Sequence, residues 1–195
     1  MHETKDNKKS ILTEISERLA AFSPEEMAKK QEVVEEKLLE FANFLEAELA
    51  LFYVRRASEI ATDKILRISL AARKGIVLPS FSESKHAISL FRINDLDSDL
   101  RKSSSDRMEP NPDSCKKISL EDIDIAVIPG LAFDEKGGRI GFGEGFYNRL
   151  IAKLPETTRK IAIAFEEQIV EHVPMESRKH NLDIIITDQR TIYKI

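Results

Sequence analysis

Residues 123–150 read IDIAVIPGLAFDEKGGRIGFGEGFYNRL and hold six of the seven glycines of this 195-residue chain. The apolar run 123–128 is typical of a buried strand. A glycine-rich loop follows it, and the apolar and aromatic residues after the last glycine predict a helix over 145–154. A strand, a loop and a helix in this order are a building unit of α/β folds, so this segment indicates a parallel sheet covered by helices.

The rest of the chain alternates helical patterns with short apolar runs. Helices are predicted over 10–21, over 24–45 with Ser23 as the N-cap, and over 62–73 with Gly75 as the C-cap. Strands are predicted at 49–54, 76–78, 88–93, 161–165, 182–187 and, as an edge strand, 191–195. We therefore predict one Rossmann-like α/β domain over 1–195, in which three layers are formed by helices on both faces of a mostly parallel sheet.

Two segments do not fit this alternation. Residues 1–9 are polar and charged, and they predict a flexible terminus. Residues 95–117 contain three consecutive serines, several charges and two prolines, and they predict a long mobile loop.

Composition excludes several classes of function. The chain carries 30 basic and 34 acidic residues, and a net charge of −4 gives no general nucleic-acid footprint. One cysteine, Cys115, allows neither an internal disulfide nor a four-cysteine zinc site. No apolar run reaches the roughly 18 residues that span a bilayer, and the polar start lacks the apolar region of a signal peptide. We expect a cytoplasmic monomer without nucleic-acid or membrane partners.

The glycine-rich loop has two interpretations. Backbone N–H groups of such a loop, with Arg139 and Arg149 nearby, suit the binding of a phosphate. Glycines also serve tight hairpins and close packing, and Asp134 suits a turn better than a catalytic role. The run from Gly141 to Gly145 is neither a dinucleotide fingerprint nor a Walker A loop, because its glycine spacing and the missing Gly-Lys-Ser/Thr depart from those patterns.

The run from Pro129 to Leu150 resembles the pattern PGxAFDxxGxRLGxGxGYYDxxL of the 5-formyltetrahydrofolate cyclo-ligase family. Glu59-Ile60 with Thr62, Glu109-Pro110, and the segment 164–187 resemble further family segments in the same order. The resemblance implies a three-layer α/β enzyme that uses ATP and Mg²⁺ to close 5-formyltetrahydrofolate to 5,10-methenyltetrahydrofolate, with release of ADP and phosphate.

The resemblance also implies site residues. The nucleotide would contact Lys8 or Lys9 of the first helix and Arg139, Ile140, Gly141, Phe142, Gly143, Glu144, Gly145, Phe146 and Tyr147. The folate would contact Val54, Glu59, Gly145, Phe146 and Tyr147. Arg139 and Tyr147 would be catalytic, and Asn148 and Asp183 would hold the metal ion. His180 is a candidate acid or base.

Several positions depart from the family pattern. Asn148 stands where the family usually has Asp, Phe146 where it has a second Tyr, and Leu12 where it has Arg; Asn181 follows His180 in place of Asp. These changes remove charge or polar groups from a site that handles phosphate. Two alternatives therefore stay open: a divergent relative that binds folate or nucleotide with little turnover, and a sugar-phosphate or acyl-transfer enzyme on a similar sheet.

Overall fold

The structure is a computed structural model that describes residues 2–56, 59–82, 87–103, 108–142, 145–174 and 180–194. The helices are α1 (His2–Ala20), α2 (Pro24–Leu39), α3 (Ala42–Glu46), α4 (Asp63–Ala71) and α5 (Phe146–Ile151). The strands are β1 (Leu49–Leu51), β2 (Gly75–Ser82), β3 (Ala87–Ile93), β4 (Leu100–Lys102), β5 (Met108–Pro110), β6 (Lys117–Ile118), β7 (Ile125–Val127), β8 (Ala132–Asp134), β9 (Arg139–Ile140), β10 (Arg159–Ala164), β11 (Ile169–Val170), β12 (Ile184–Thr187) and β13 (Thr191–Tyr193).

The central sheet has eight strands in the order β13-β12-β10-β7-β1-β2-β3-β6. The five strands from β12 to β2 are parallel, and the strands outside them pair antiparallel. Alternate residues of each inner strand face opposite sides, so that Ile125 and Val127 join one apolar cluster while Ala126 and Ile128 join another. The first cluster packs under α2, α3 and α4 and the second under α5, which confirms the predicted three layers.

The first two helices differ from their predicted bounds. Helix α1 begins at His2, so the segment predicted as a flexible terminus is helical from its second residue. The three lysines and Glu3 of this segment are good helix formers, which the apolar periodicity does not detect. Helix α2 has the predicted cap: Ser23 Oγ accepts from the Glu26 N–H, and the Glu26 carboxylate accepts from the Ser23 N–H. It ends at Leu39, and α3 follows after the extended residue Phe41.

The helix predicted over 62–73 is α4, and its end differs from the prediction. Arg73, with φ of 60°, takes the left-handed position after α4, and Gly75 is the first residue of β2. Strand β2 continues through Pro79 to Ser82, where β3 is the only one of the described strands that pairs with it, because β1 pairs only with its first three residues. Proline is tolerated where a strand is paired on one side. The segment 95–117, predicted to be a long loop, contains the antiparallel pair β4–β5.

A small hairpin separates the central strand β7 from α5. Strands β8 and β9 pair antiparallel, and β11 adds in parallel to β8. Asp134 caps the turn between β8 and β9, because its Oδ1 accepts from the N–H groups of Lys136 and Gly138. Gly137 in this turn has a φ of 81°, which favours glycine. Part of the glycine cluster therefore serves a hairpin.

No helix in the ranges described combines the length and the apolar character needed to cross a membrane.

Candidate active site

A cavity of about 320 Å³ opens at the carboxyl ends of β1 and β7. The hairpin and the start of α5 supply residues 139–142 and 145–148 of its lining, and the segment after β1 supplies Arg56 and Glu59. The remaining lining residues are Lys8, Pro129, Pro174 and His180. In parallel sheets, ligands bind next to the carboxyl ends of the strands, and the cavity lies at that position.

Arg139 is a buried cation in the wall of the cavity. Its Nη1 donates to the Pro129 carbonyl at 2.7 Å, and its Nη2 donates to Asn148 Oδ1 at 2.6 Å. A Cβ at Gly141 would lie 2.6 Å from Nη1, so glycine lets the backbone pack against the guanidinium. Burial lowers the pKa of Arg139 to about 10, which leaves it positively charged at neutral pH.

Glu59 is a nearly buried carboxylate that faces the same cavity. It is 9% exposed, and its Oε2 accepts from the Arg56 N–H at 2.8 Å. Burial raises the pKa of Glu59, while the charges of Arg56 and Arg139 oppose this shift. The carboxylate suits an N–H-rich edge of a ligand that enters the cavity.

Aromatic side chains line the space between these charges. The Tyr147 ring lies 6.0 Å from the Arg139 guanidinium carbon, and the Phe142 ring lies 4.9 Å from that of Arg56. Phe81 of β2 packs against Phe146 and Tyr147 with ring centroids 4.8 and 5.4 Å away. Burial, followed by the charge of Glu59, raises the pKa of Tyr147, so its hydroxyl keeps its proton at neutral pH and can donate a hydrogen bond.

A second, more open groove of about 620 Å³ lies beside the cavity, between α1 and the hairpin. The two spaces share Lys8 and residues 140–142. Lys9 lines this groove but not the cavity, and Leu12 packs beside it. The structure thus distinguishes the two candidate lysines, and Lys8 is the one at the junction.

Comparison with known proteins identifies the family. A model of the 5-formyltetrahydrofolate cyclo-ligase family matches residues 4–188. The chain belongs to the 5-formyltetrahydrofolate cyclo-ligase family. It is 30% identical over 184 residues to a probable 5-formyltetrahydrofolate cyclo-ligase of Caenorhabditis elegans, with 89% of each protein covered. It is 21% identical over 187 residues to the 5-formyltetrahydrofolate cyclo-ligase of Mus musculus, with 92% of each covered.

Solved structures agree on the fold. The 5,10-methenyltetrahydrofolate synthetase of Aquifex aeolicus superposes with a TM-score of 0.80 at 24% identity, covering 95% of this chain and 92% of that one. The synthetase of Mycoplasma pneumoniae gives a TM-score of 0.70 at 19% identity, covering 93% and 98%. The predicted family, fold class and enzyme class are confirmed.

Most of the site residues predicted from the cyclo-ligase pattern lie together in the cavity. Two do not. Val54 packs against the apolar cluster under α2 and α4 and is not part of the described lining. Asp183 precedes β12 at the amino ends of the parallel strands, where its Oδ2 accepts from the Lys160 N–H at 2.8 Å. Gly143 and Glu144 lie outside the described residues.

The described residues do not fit the magnesium site that the cyclo-ligase pattern implies. Asn148 Oδ1 faces the Arg139 cation, and Asp183 lies at the amino ends of the parallel strands, away from the cavity. Glu59 is nearly buried, and its Oε2 accepts a hydrogen bond from the Arg56 N–H. Magnesium prefers several oxygen ligands in octahedral geometry. Within the ranges that the structure describes, no group of three or more His, Cys, Asp or Glu side chains is arranged to hold a metal ion. The structure does not bring Asn148 and Asp183 together, because they lie at opposite ends of the parallel strands.

Sequence reasoning missed Arg56. It lies three residues before Glu59 and lines the cavity because its segment leaves the carboxyl end of β1. A cation shortly after a parallel strand was the available signal. His180 also lines the cavity, whereas the Asn181 amide donates to the Lys136 carbonyl at 2.8 Å and helps to fix the hairpin.

Proposed function

We propose that this chain catalyses the ATP-dependent closure of 5-formyltetrahydrofolate to 5,10-methenyltetrahydrofolate, with release of ADP and phosphate. Family membership supports the reaction, since the cyclo-ligase family is ATP-dependent. We assign this reaction to the cavity because Arg139 places a buried guanidinium there. Its hydrogen bonds to Pro129 and Asn148 hold it at the glycine-rich hairpin.

The chemistry explains why a phosphoryl donor is needed. The formyl carbon is a poor electrophile because N5 donates electrons into it, and its oxygen is a poor leaving group. In the proposed reaction the formyl oxygen attacks the γ-phosphorus, and the bond from that phosphorus to the β–γ bridging oxygen breaks as ADP leaves. N10 then attacks the formyl carbon, the carbon–oxygen bond breaks, phosphate leaves with the electron pair, and N10 gives its proton to solvent.

The cations of the cavity suit the phosphate half of this reaction. Charge on the transferring phosphoryl group is stabilised by fixed donors that need no reorganisation. Arg139 is such a donor, because two of its nitrogens are anchored to the protein. Lys8 adds a second positive charge where the cavity meets the groove along α1. We assign both residues to the nucleotide.

The other wall suits the folate. Glu59 would accept hydrogen bonds from the amino and N–H groups of the pterin, and the rings of Phe146 and Tyr147 offer apolar contact to the ring system. The protonated Tyr147 hydroxyl would donate a hydrogen bond near the formyl group. Holding both substrates in line is the main task of such an enzyme, since the covalent steps occur between the substrates themselves.

Several finer features rest on the sequence and stay predictions: location in the cytoplasm, a monomeric state, and the use of magnesium. Because the described cavity residues do not fit a magnesium site, we assign no protein ligand to the ion.

The test is spectroscopic. The purified protein is mixed with 5-formyltetrahydrofolate, ATP and Mg²⁺, and the near-ultraviolet absorbance of the methenyl product is followed beside a sample without ATP. An ATP-dependent rise is the expected result. A flat trace with folate or ATP binding detected by calorimetry would instead support a divergent relative with little turnover. Product formation without ATP would contradict the proposed reaction.

A further inference from the structure

The segment that carries Glu59 is held in place at each residue that follows it. The Tyr53 hydroxyl donates to the Ile60 carbonyl at 3.1 Å, and the Thr62 hydroxyl donates to the Tyr53 carbonyl at 3.0 Å. Both bonds join parts of the same segment, so they shape it without tying it to the rest of the protein. Ala61, between them, is bonded to another element.

Gln31 of α2 supplies that bond. The Ala61 N–H donates to Gln31 Oε1 at 3.2 Å, and Gln31 Nε2 donates to the Ala61 carbonyl at 2.9 Å. One carboxamide thus meets both backbone groups of one residue, as a neighbouring strand would. The carboxamide can do this because it carries a donor and an acceptor in one plane.

The direction of the Gln31 amide is fixed in turn by Glu35. The second Nε2 hydrogen bonds to Glu35 Oε1 at 2.7 Å, and Glu35 is 5% exposed. The other carboxylate oxygen, Oε2, lies 3.0 Å from Lys64 Nζ of α4. Because Glu35 needs a donor on its Gln31 side, the amide nitrogen must face Glu35 and the Ala61 carbonyl, and Oε1 is left for the Ala61 N–H.

We propose that Gln31 is a positioning residue for Glu59. It does not line the described cavity, and it acts through Ala61, two residues along the chain from the carboxylate that faces the folate. The inference rests on the proposed function, since it assumes that Glu59 contacts the pterin. Loss of the Gln31 bonds removes the tie between α2 and Ala61, while Tyr53 and Ile60 stay in the apolar core. The resulting shift of Glu59 weakens folate binding and leaves the nucleotide side, built from α1 and the hairpin, unchanged.

The test compares two variants with a matched control. Gln31→Met keeps the length and loses both bonds to Ala61, whereas Gln31→Glu in its ionised form keeps the acceptor, loses the donor and adds a charge beside Glu35. For each variant we expect the KM for 5-formyltetrahydrofolate to rise about tenfold, the loss typical of one or two hydrogen bonds, while the KM for ATP changes less than about twofold. Thr158→Val is the control, because it removes a buried hydrogen bond of 2.8 Å to the Ile123 carbonyl. This bond lies at the amino ends of β7 and β10, away from the cavity.

Circular dichroism and thermal unfolding establish that each variant is folded. A milder variant, Glu35→Gln, covers the case in which both Gln31 variants fail to fold, and a rise of about threefold in the folate KM is expected for it. An unchanged folate KM, an equal rise in both KM values, or the same effect in Thr158→Val overturns the positioning role.

Failure of the proposed function gives a different result. If the parent protein forms no methenyl product, folate binding is measured by calorimetry with 5-formyltetrahydrofolate alone. Weaker binding in both Gln31 variants then supports the positioning role without the reaction. Equal binding in parent and variants, or no binding in the parent, overturns it.

Discussion

Asn148 Oδ1 accepts a hydrogen bond of 2.6 Å from Arg139 Nη2, so the side chain at the expected metal position faces a cation. The neutral amide orients the guanidinium without cancelling its charge. An aspartate at this position would hold Arg139 equally well, but it would neutralise the positive charge that faces the phosphate. The pair therefore links a departure from the family pattern to the electrostatics of the cavity.

Asn148→Asp is expected to weaken ATP binding. A new negative charge beside Arg139 should raise the KM for ATP about fivefold, which corresponds to ~1 kcal/mol for charges in a partly buried site. The Mg²⁺ concentration that gives half the maximal rate should not change. Asn43→Asp is the control, because it adds the same charge beside Asp183 at the opposite edge of the sheet. A fall in the required Mg²⁺ concentration would place residue 148 at the metal.

Arg139→Lys tests the geometry of the cation apart from its charge. Lysine keeps the charge but does not match the planar fork that reaches Pro129 and Asn148 together. We expect kcat/KM for ATP to fall about 100-fold and the folate KM to change less than about threefold, as is typical when one fixed donor to a transition state is lost. The control is Arg149→Lys, since the Arg149 guanidinium packs on the Phe146 ring outside the described cavity lining. An equal loss of kcat/KM for ATP and for 5-formyltetrahydrofolate would contradict the assignment of Arg139 to the phosphate.

The fold was predictable where one short-range signal decided it. Apolar runs such as 125–128 are buried on both faces, and this pattern predicts a parallel sheet. The start of α2 followed from Ser23 and Pro24. Its end did not, because Phe41 and Leu45 continue the helical spacing across the break at residues 40–41. Gly75 was predicted to be the C-cap of the helix over 62–73, but Arg73 has the left-handed conformation at the end of α4.

The candidate site was predictable where residues lie close in sequence. Residues 139–142 and 145–148 come from one pattern, and the structure keeps them in one wall. Asp183 lies outside this cavity, and the match to a family segment could not show this, because it does not say at which end of its strand a residue lies. Arg56 had a local signal in its place after a parallel strand, but the Gln31–Ala61 bonds depend on how α2 packs on the segment after β1, and such contacts between distant residues leave no local sequence signal.

Lys8 and Lys9 offer a matched pair on one helix. Lys8 lines both the cavity and the adjoining groove, and Lys9 lines the groove but not the cavity. Lys8→Met should raise the KM for ATP about tenfold through the loss of one phosphate contact, and Lys9→Met less than about twofold. Both are measured with ATP varied at saturating 5-formyltetrahydrofolate. A larger effect from Lys9→Met would contradict this prediction and indicate that Lys9, and not Lys8, contacts the nucleotide.

Folate binding should depend on pH through Glu59. Burial raises the pKa of this carboxyl above its ordinary value of 4.5, and the ionised form is the one that accepts hydrogen bonds from the pterin. Affinity is therefore complete above the raised pKa and falls as pH decreases through it. Stability runs in the opposite direction: the folded state binds the proton more tightly than the unfolded chain, so this group costs stability as pH rises from 4.5 through the raised pKa.

Glu59→Gln separates these two effects. The amide should weaken binding of 5-formyltetrahydrofolate about 10- to 100-fold at neutral pH through the loss of charge-assisted hydrogen bonds. The contribution of residue 59 to the pH dependence of the Kd and of the free energy of unfolding should disappear, and the variant should be at least as stable as the parent at neutral pH. Calorimetry and denaturant unfolding from about pH 5 to about pH 8 measure both. Glu156→Gln, an exposed position, should match the parent. A Glu59→Gln variant that keeps the parent's affinity would contradict a role of the carboxylate in folate binding, because glutamine keeps the size of the side chain and abolishes its charge.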